Sequence, residues 1–294
     1  VPAFYDYDTG MTTATAADLH SALAAMATEA RTFTFPARHY TARVVRWGTG
    51  PDLVLLPGMS DVPRSFAVLM HKLADRFRCT AIHLADGDRD GCRYRAYKHE
   101  HHLDDLLAIC AKLNLDRPHL LGSSFGSTVA LRFAADHPDR VRTVILQGGF
   151  PRRQFHRIER GLARMARYWP GMMKDLIVRP YVMERIDRPQ FAMADPAIYD
   201  FFLECSGAVP IQCAARRALM LDAIDLRPRL KSIRKPVLLI GGDRDGLVPR
   251  IYEAELEAGL PDVRRVEYSP CGHYPQYTHP GPMAEAMAEF MQVR

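Results

Sequence analysis

HLLGSSFGSTVAL, residues 119–131, runs an apolar segment straight into Gly122-Ser123-Ser124-Phe125-Gly126 and then returns to apolar residues at helical spacing. A short buried strand, a tight turn and a helix halted at Pro138 fit this order of residue types. Gly122-x-Ser124-x-Gly126 matches the G-x-S-x-G pattern, in which a serine is held on a strained strand-to-helix turn. Positions two residues from such a serine must lack bulk, and Gly122, Gly126 and the small Ser127 meet that demand. The helix that follows aims its first amides and its positive dipole end at the turn, a setting that favours an oxyanion.

Outward from this turn, short apolar runs alternate with amphipathic ones. YTARVVRW, DLVLLPG, CTAIHLA, PHLLG, VRTVILQGG, PVLLIGGD and VRRVEYSP read as strands. VPRSFAVLMHKLADRF, HHLDDLLAICAKLNL, STVALRFAADH and PMAEAMAEFMQV read as helices, the first spacing Phe66, Leu69, Met70, Leu73 and Phe77 three and four apart. Strands apolar on both faces, alternating with helices, predict an α/β fold: a mostly parallel central sheet covered by helices on both sides. The alternation breaks from Phe150 to about Arg229, where HRIERGLARMARYW, AIYDFFLECSG and IQCAARRALMLDAI are helical in pattern. The expected organisation is a core formed by residues 1–150 and 229–294, with a helical cap inserted at 151–228.

Ligands of parallel sheets bind beyond the carboxyl ends of the strands, where GSSFG lies. A serine hydroxyl needs a base to act as nucleophile, and the base needs an orienting acid. Asp245 in LLIGGDRDGLVP and His273 in YSPCGHYPQ each follow a strand, which gives the chain order Ser, Asp, His.

Four segments, LLPGM, HLLGSSFGS, GGDRDGLVP and CGHYPQ, together resemble the α/β-hydrolase superfamily over about residues 39–293. The resemblance implies a capped serine hydrolase, esterase-like, with Ser124, Asp245 and His273 as triad and the backbone amides of Met59 and Phe125 as oxyanion hole. It selects Asp245 over Asp243, because Val248-Pro249 follow the former at the family's spacing. Asp243 is then a turn residue, and His279 starts the closing helix. Pro57 stands where the family usually has histidine, which changes how the oxyanion loop is braced while leaving a main-chain donor in place. No cofactor and no metal are implied. An ester of small to medium apolar groups is the expected substrate, since alkoxides ask least of a site as leaving groups. The alternatives are a C–C bond hydrolase of vinylogous diketones, which the Ser-Phe of the elbow also resembles, and a ligand receptor that keeps the triad with negligible turnover.

The composition is that of an ordinary globular protein, at 48% hydrophobic and 25% charged residues. Six scattered cysteines read as reduced core thiols rather than a disulfide frame. No apolar run reaches the ~20 residues of a membrane span, and Asp18, His20 and Glu29 interrupt the Ala-rich N-terminal segment as a secretory core. A cytoplasmic setting is the default, with N-terminal processing left open. The expected partner is a small-molecule substrate, with no nucleic acid and no stable membrane insertion. Residues 151–228 hold 13 Lys plus Arg against 9 Asp plus Glu. Arg153, Arg157, Arg160, Arg164 and Arg167 form a basic stripe there, read as a solvated face or a lure for acidic ligands. The aromatic and methionine side chains of this region should divide between holding the cap together and lining an apolar pocket.

Two motifs read as structural. Asp86, Asp88, Asp90 and Gly91 imitate the front of a calcium loop, but Tyr97 takes the place of its bidentate glutamate, so a solvated acidic loop is expected. His99 and His102 in KHEHH read as neighbours on a polar helix face.

Overall fold

A computed structural model describes residues 13–293; residues 1–12 of the expected first core unit lie outside the described residues. The strands are β1 (Arg31–Pro36), β2 (Thr41–Trp47), β3 (Asp52–Leu56), β4 (Arg78–Ile82), β5 (His119–Ser123), β6 (Val144–Gln147), β7 (Val237–Gly242) and β8 (Val263–Tyr268). They form one sheet in the order β1-β2-β4-β3-β5-β6-β7-β8. Pairing is parallel from β4 through β8, while β2 runs antiparallel to both β1 and β4. The helices are α1 (Ala16–Glu29), α2 (Ala67–Leu73), α3 (His99–Lys112), α4 (Phe125–Asp136), α5 (Arg157–Ala166), α6 (Arg179–Val182), α7 (Pro196–Gly207), α8 (Ile211–Ala223), α9 (Arg250–Gly259), α10 (Pro275–Thr278) and α11 (Pro280–Gln292). None is long and apolar enough to cross a membrane.

Alternate side chains of each central strand enter opposite layers, which is why these strands read as unbroken apolar runs. Leu53 and Leu55 pack with Leu69 and Met70 of α2 and Met283 and Met287 of α11. Val54 and Leu56 join Leu106 of α3, Val129 and Phe133 of α4, and Leu256 of α9. β1 was not among the expected strands. It is an edge strand with five of its six residues exposed, so it carries no buried apolar run to mark it.

The sheet order places the site. After β3 the chain steps to β4 on one side and then returns to β5 on the other, so a crevice opens at the carboxyl ends of β3 and β5. Residues 57–61 leave β3 on one wall, and Ser124 leaves β5 on the other. α5 to α8 all lie between β6 and β7. The two ends of that segment are stitched together by an Arg152–Asp225 bridge and by Leu226 N–H donating to the Pro151 carbonyl at 2.8 Å.

Candidate active site

Ser124 occupies φ 47°, ψ −110°, a region that non-glycine residues seldom adopt. Its surroundings over-determine that geometry. Its amide donates to the Gln147 carbonyl on β6 at 2.8 Å, and its carbonyl accepts from the Ser127 amide at 2.9 Å and from Ser127 Oγ at 2.6 Å. A Cβ on Gly126 would stand 2.3 Å from the Leu56 carbonyl oxygen, and one on Gly122 would stand 2.5 Å from the Gly126 carbonyl oxygen. The second glycine therefore makes room for the end of β3, rather than only for the turn itself. Ser123 is buried and its hydroxyl is engaged by Gln147, leaving Ser124 as the serine presented at the turn.

The other two turns converge on the same place. His273 Nδ1 lies 2.6 Å from Asp245 Oδ2, while Asp245 Oδ1 accepts from the amides of Leu247 and Val248, both at 2.8 Å. Burial alone would raise the Asp245 pKa, but the charge and hydrogen bond of His273 and these two amides outweigh it and hold the carboxyl below its ordinary value. An ionised Asp245 keeps the hydrogen on Nδ1 and leaves Nε2 free to accept a proton. Asp243 faces elsewhere: it accepts from Ser269 Oγ at 2.7 Å and from the Cys271 amide at 2.9 Å, which shapes the histidine turn.

Ser124 and His273 open on one cavity of about 160 Å³. Gly58, Met59, Ser60 and Asp61 roof it on the β3 side; Phe150, Phe155, Phe202, Leu221, Leu247 and Val248 give it apolar walls, and Arg153 adds one cation. A Cβ on Gly58 would lie 3.7 Å from Ser124 Cβ, so this loop rests against the serine. Among the described residues, neither the Met59 nor the Phe125 amide donates to a protein acceptor. Tyr277 of α10 donates to Asp61 at 2.7 Å, and burial pushes the Asp61 carboxyl up to about 6 against that hydrogen bond.

The α/β hydrolase family matches residues 53–286. The chain belongs to that family. A pimeloyl-(acyl-carrier protein) methyl ester esterase of Aeromonas hydrophila is 28% identical over 253 residues, covering 84% of this chain and 98% of its own. A 2-(acetamidomethylene)succinate hydrolase of Mesorhizobium japonicum is 25% identical over 257 residues, covering 85% and 91%. Among solved structures, a thermophilic esterase from Thermogutta terrifontis superposes with a TM-score of 0.78 at 20% identity, covering 90% of this chain and 98% of that one.

Several residues around the site of this α/β hydrolase had not been singled out by sequence. Gly148, at φ +54°, lies beneath the imidazole, where a Cβ would meet His273 Cε1 at 2.5 Å. Gln147 Nε2 donates to the His273 carbonyl at 2.5 Å. Gln190, from the inserted segment, accepts on one oxygen from the His273 amide at 3.1 Å and from the Gly246 amide at 3.2 Å, joining the histidine and acid turns. Gly-Gly after a strand was a signal for Gly148; nothing local marks either glutamine.

Three expectations are corrected. His99 and His102 are buried, not on a polar face: His99 Nε2 lies 2.9 Å from Thr128 Oγ1, and burial with Arg132 nearby lowers its pKa to about 3. Asp86 is likewise buried and pairs with Arg217, so the acidic loop is solvated only in part. The basic stripe is not uniform, since Arg160 is held by Asp222 and Arg153 by the Leu247 carbonyl, leaving Arg157 and Arg164 to solvent. Of the aromatic residues in the inserted segment, Phe155 and Phe202 line the cavity, while Phe191, Tyr199 and Phe201 pack with Phe202 in a cluster that includes Tyr277.

Proposed function

We propose that the chain is a serine hydrolase that cleaves carboxylic esters through an acyl-enzyme. The observation that carries this reading is the 2.6 Å contact of His273 Nδ1 with Asp245 Oδ2, made at the wall of the cavity that also holds Ser124. His273 Nε2 takes the proton of Ser124 Oγ as the oxygen attacks the ester carbonyl, and Asp245 stabilises the imidazolium that results. The carbonyl oxygen, now an oxyanion, accepts from the free amides of Met59 and Phe125. The C–O bond breaks, His273 returns the proton to the departing alkoxide, and the acyl group remains on Ser124. Water, giving a proton to His273, then attacks the acyl carbon on Ser124; the bond to Ser124 Oγ breaks, His273 returns the proton to that oxygen, and the acid is released. Gly122 and Gly126 keep the elbow tight enough to present the serine. Residues 151–228 act as a cap that supplies Phe155, Phe202 and Leu221 as walls for an apolar acyl or alcohol group, between core parts 1–150 and 229–294.

Fluorophosphonate labelling and turnover of p-nitrophenyl esters test the reading. Label should enter Ser124 and vanish in Ser124→Ala, with the fold kept. Label at another serine refutes the assignment. Ligand-induced stabilisation without turnover would favour a receptor, and cleavage of a vinylogous diketone without ester turnover would favour C–C hydrolysis.

A second reading concerns where the acyl chain comes from. Ile158, Leu162 and Met165 stand exposed on α5 beside the solvent-facing Arg157 and Arg164. The Aeromonas relative is named for a carrier-bound methyl ester, and a carrier that bears acidic groups beside its acyl ester would suit such a face. Arg157→Gln with Arg164→Gln should then slow turnover of a carrier-bound methyl ester at low salt and leave p-nitrophenyl butyrate unaffected.

A further inference from the structure

Arg217 belongs to α8 in the inserted segment, yet its side chain is fully buried. Nη1 donates to the Met59 carbonyl at 2.8 Å. Nη2 donates to the Ala85 carbonyl at 2.9 Å and lies 3.2 Å from Asp86 Oδ1. The same helix is tied to the β4 side by Tyr94, whose hydroxyl donates to the Cys213 carbonyl at 3.3 Å. Taking a guanidinium out of water is costly unless its hydrogens find acceptors, and here those on Nη1 and Nη2 find the carbonyls of two loops that follow different strands.

The target of Nη1 is the point of interest. Residues 57–61 form the loop after β3, and Pro57 brings to it neither an N–H nor a polar side chain. Inside the loop, the Asp61 amide donates to the Gly58 carbonyl at 3.3 Å. Among the described residues, Arg217 is the side chain that donates to a carbonyl of this loop. Fixing the Met59 carbonyl fixes the peptide plane that follows Met59 Cα, and leaves the amide that precedes that atom only the φ and ψ of Met59 in which to turn. A planar guanidinium, pinned at once to Ala85 and Asp86, holds that plane more rigidly than a flexible ammonium could.

We infer that Arg217 is the positioning residue of the oxyanion loop: it reaches from the cap into the core and aims the Met59 amide at the developing oxyanion. This rests on the ester-hydrolase reading above. It makes the cap helix α8 part of the machinery that stabilises the transition state without contact between Arg217 and the substrate.

The test compares Arg217→Met and Arg217→Lys with the parent, using p-nitrophenyl butyrate and two inhibitors. A trifluoromethyl ketone adds to Ser124 and forms an oxyanion; the matching methyl ketone fills the pocket without doing so. Arg217→Met should lose about 100-fold in kcat at nearly unchanged KM, with an equal loss of trifluoromethyl ketone affinity and none for the methyl ketone. Arg217→Lys should recover about tenfold of that loss. Parent kcat in folded Arg217→Met overturns the inference, and so does a matching loss of affinity for both ketones, which would mean general damage to the pocket. If Arg217→Met does not fold, Arg217→Lys decides alone by whether kcat and trifluoromethyl ketone affinity fall together. If neither folds, Arg217 serves folding only and the inference fails. A parent that neither labels at Ser124 nor turns over esters refutes the hydrolase reading and this inference with it. An active parent with indifferent variants refutes the inference alone.

Discussion

Around Ser124 and His273 the space beside the main chain is full: a Cβ added at Gly126, Gly148 or Gly242 would land 2.3–2.5 Å from another atom, whereas one added at Gly161 of α5 would touch nothing. The same contrast runs through the side chains. Asp245 has two amides and an imidazole as partners, and Gln147 ties β6 to both the elbow and the histidine turn. In the inserted segment, Ile158, Leu162, Met165, Trp169, Ile177 and Tyr181 stand in solvent. Of thirteen exposed large apolar side chains among the described residues, ten lie between Ile158 and Met193. The carboxyl ends of the central strands are packed to hold one geometry. The outer face of the insertion leaves its large apolar side chains open to solvent.

This contrast can be broken at several points. Asp245→Asn and His273→Ala should each lower kcat for p-nitrophenyl butyrate by about 10⁴, because either change disables the base, while Asp243→Asn should keep most of the turnover. An equal loss in Asp243→Asn would show that the wrong carboxylate had been assigned.

Gly126→Ala comes next. Its Cβ must displace the carboxyl end of β3, and a shift near 1 Å at the serine costs about 100-fold in rate. A fully active Gly126→Ala protein with a raised Tm would mean that these strand ends are looser than described.

The third test uses pH. Asp61 has its pKa raised by burial to about 6 from 3.8, so the folded state prefers the protonated form. Its stabilising share is complete below pH 4 and is lost as pH rises through 6. Asp61→Asn stays neutral and can still accept from Tyr277, so it should exceed the parent at pH 8 by up to about 3 kcal/mol in urea unfolding and match it at pH 4. A variant less stable than the parent at pH 8 would contradict the assigned direction.

The smallest effect belongs to the insertion. Gly161→Ala lies in a helix with open space around it and should add up to about 1 kcal/mol of stability with turnover unchanged. Lost activity there would show that the outer segment is as tightly coupled to the chemistry as the strand ends are.

Much of the fold and of the proposed triad was legible because the turns concerned carry local demands. Gly122 and Gly126 are residue types forced by backbone geometry next to the serine they present, Val248-Pro249 mark Asp245 through the family's spacing, and the apolar runs of β3 to β7 reflect burial on both faces. β1 lacked that mark because one edge of a sheet faces water. Gln147, Gln190 and Arg217 were illegible for another reason: their roles come from partners 126, 83 and 158 residues away. His99 and His102 were misplaced because a histidine-rich helix start looks polar until Thr128 and Phe125 are brought against it.

Gln190 gives the molecule a particular order of failure. The acid turn and the histidine turn share a fastener that belongs to neither of them: one amide oxygen, carried on the segment with the most exposed surface. Tyr274, beside the histidine, is tied to the same segment through Asp187 at 2.5 Å. Warming that frees this segment would remove that fastener while the eight strands remain paired, leaving the two turns joined by the Asp245–His273 contact, the Asp243 hydrogen bonds and the Arg244 amide on the Cys271 carbonyl. The histidine backbone would loosen before the sheet melts, and recover on cooling.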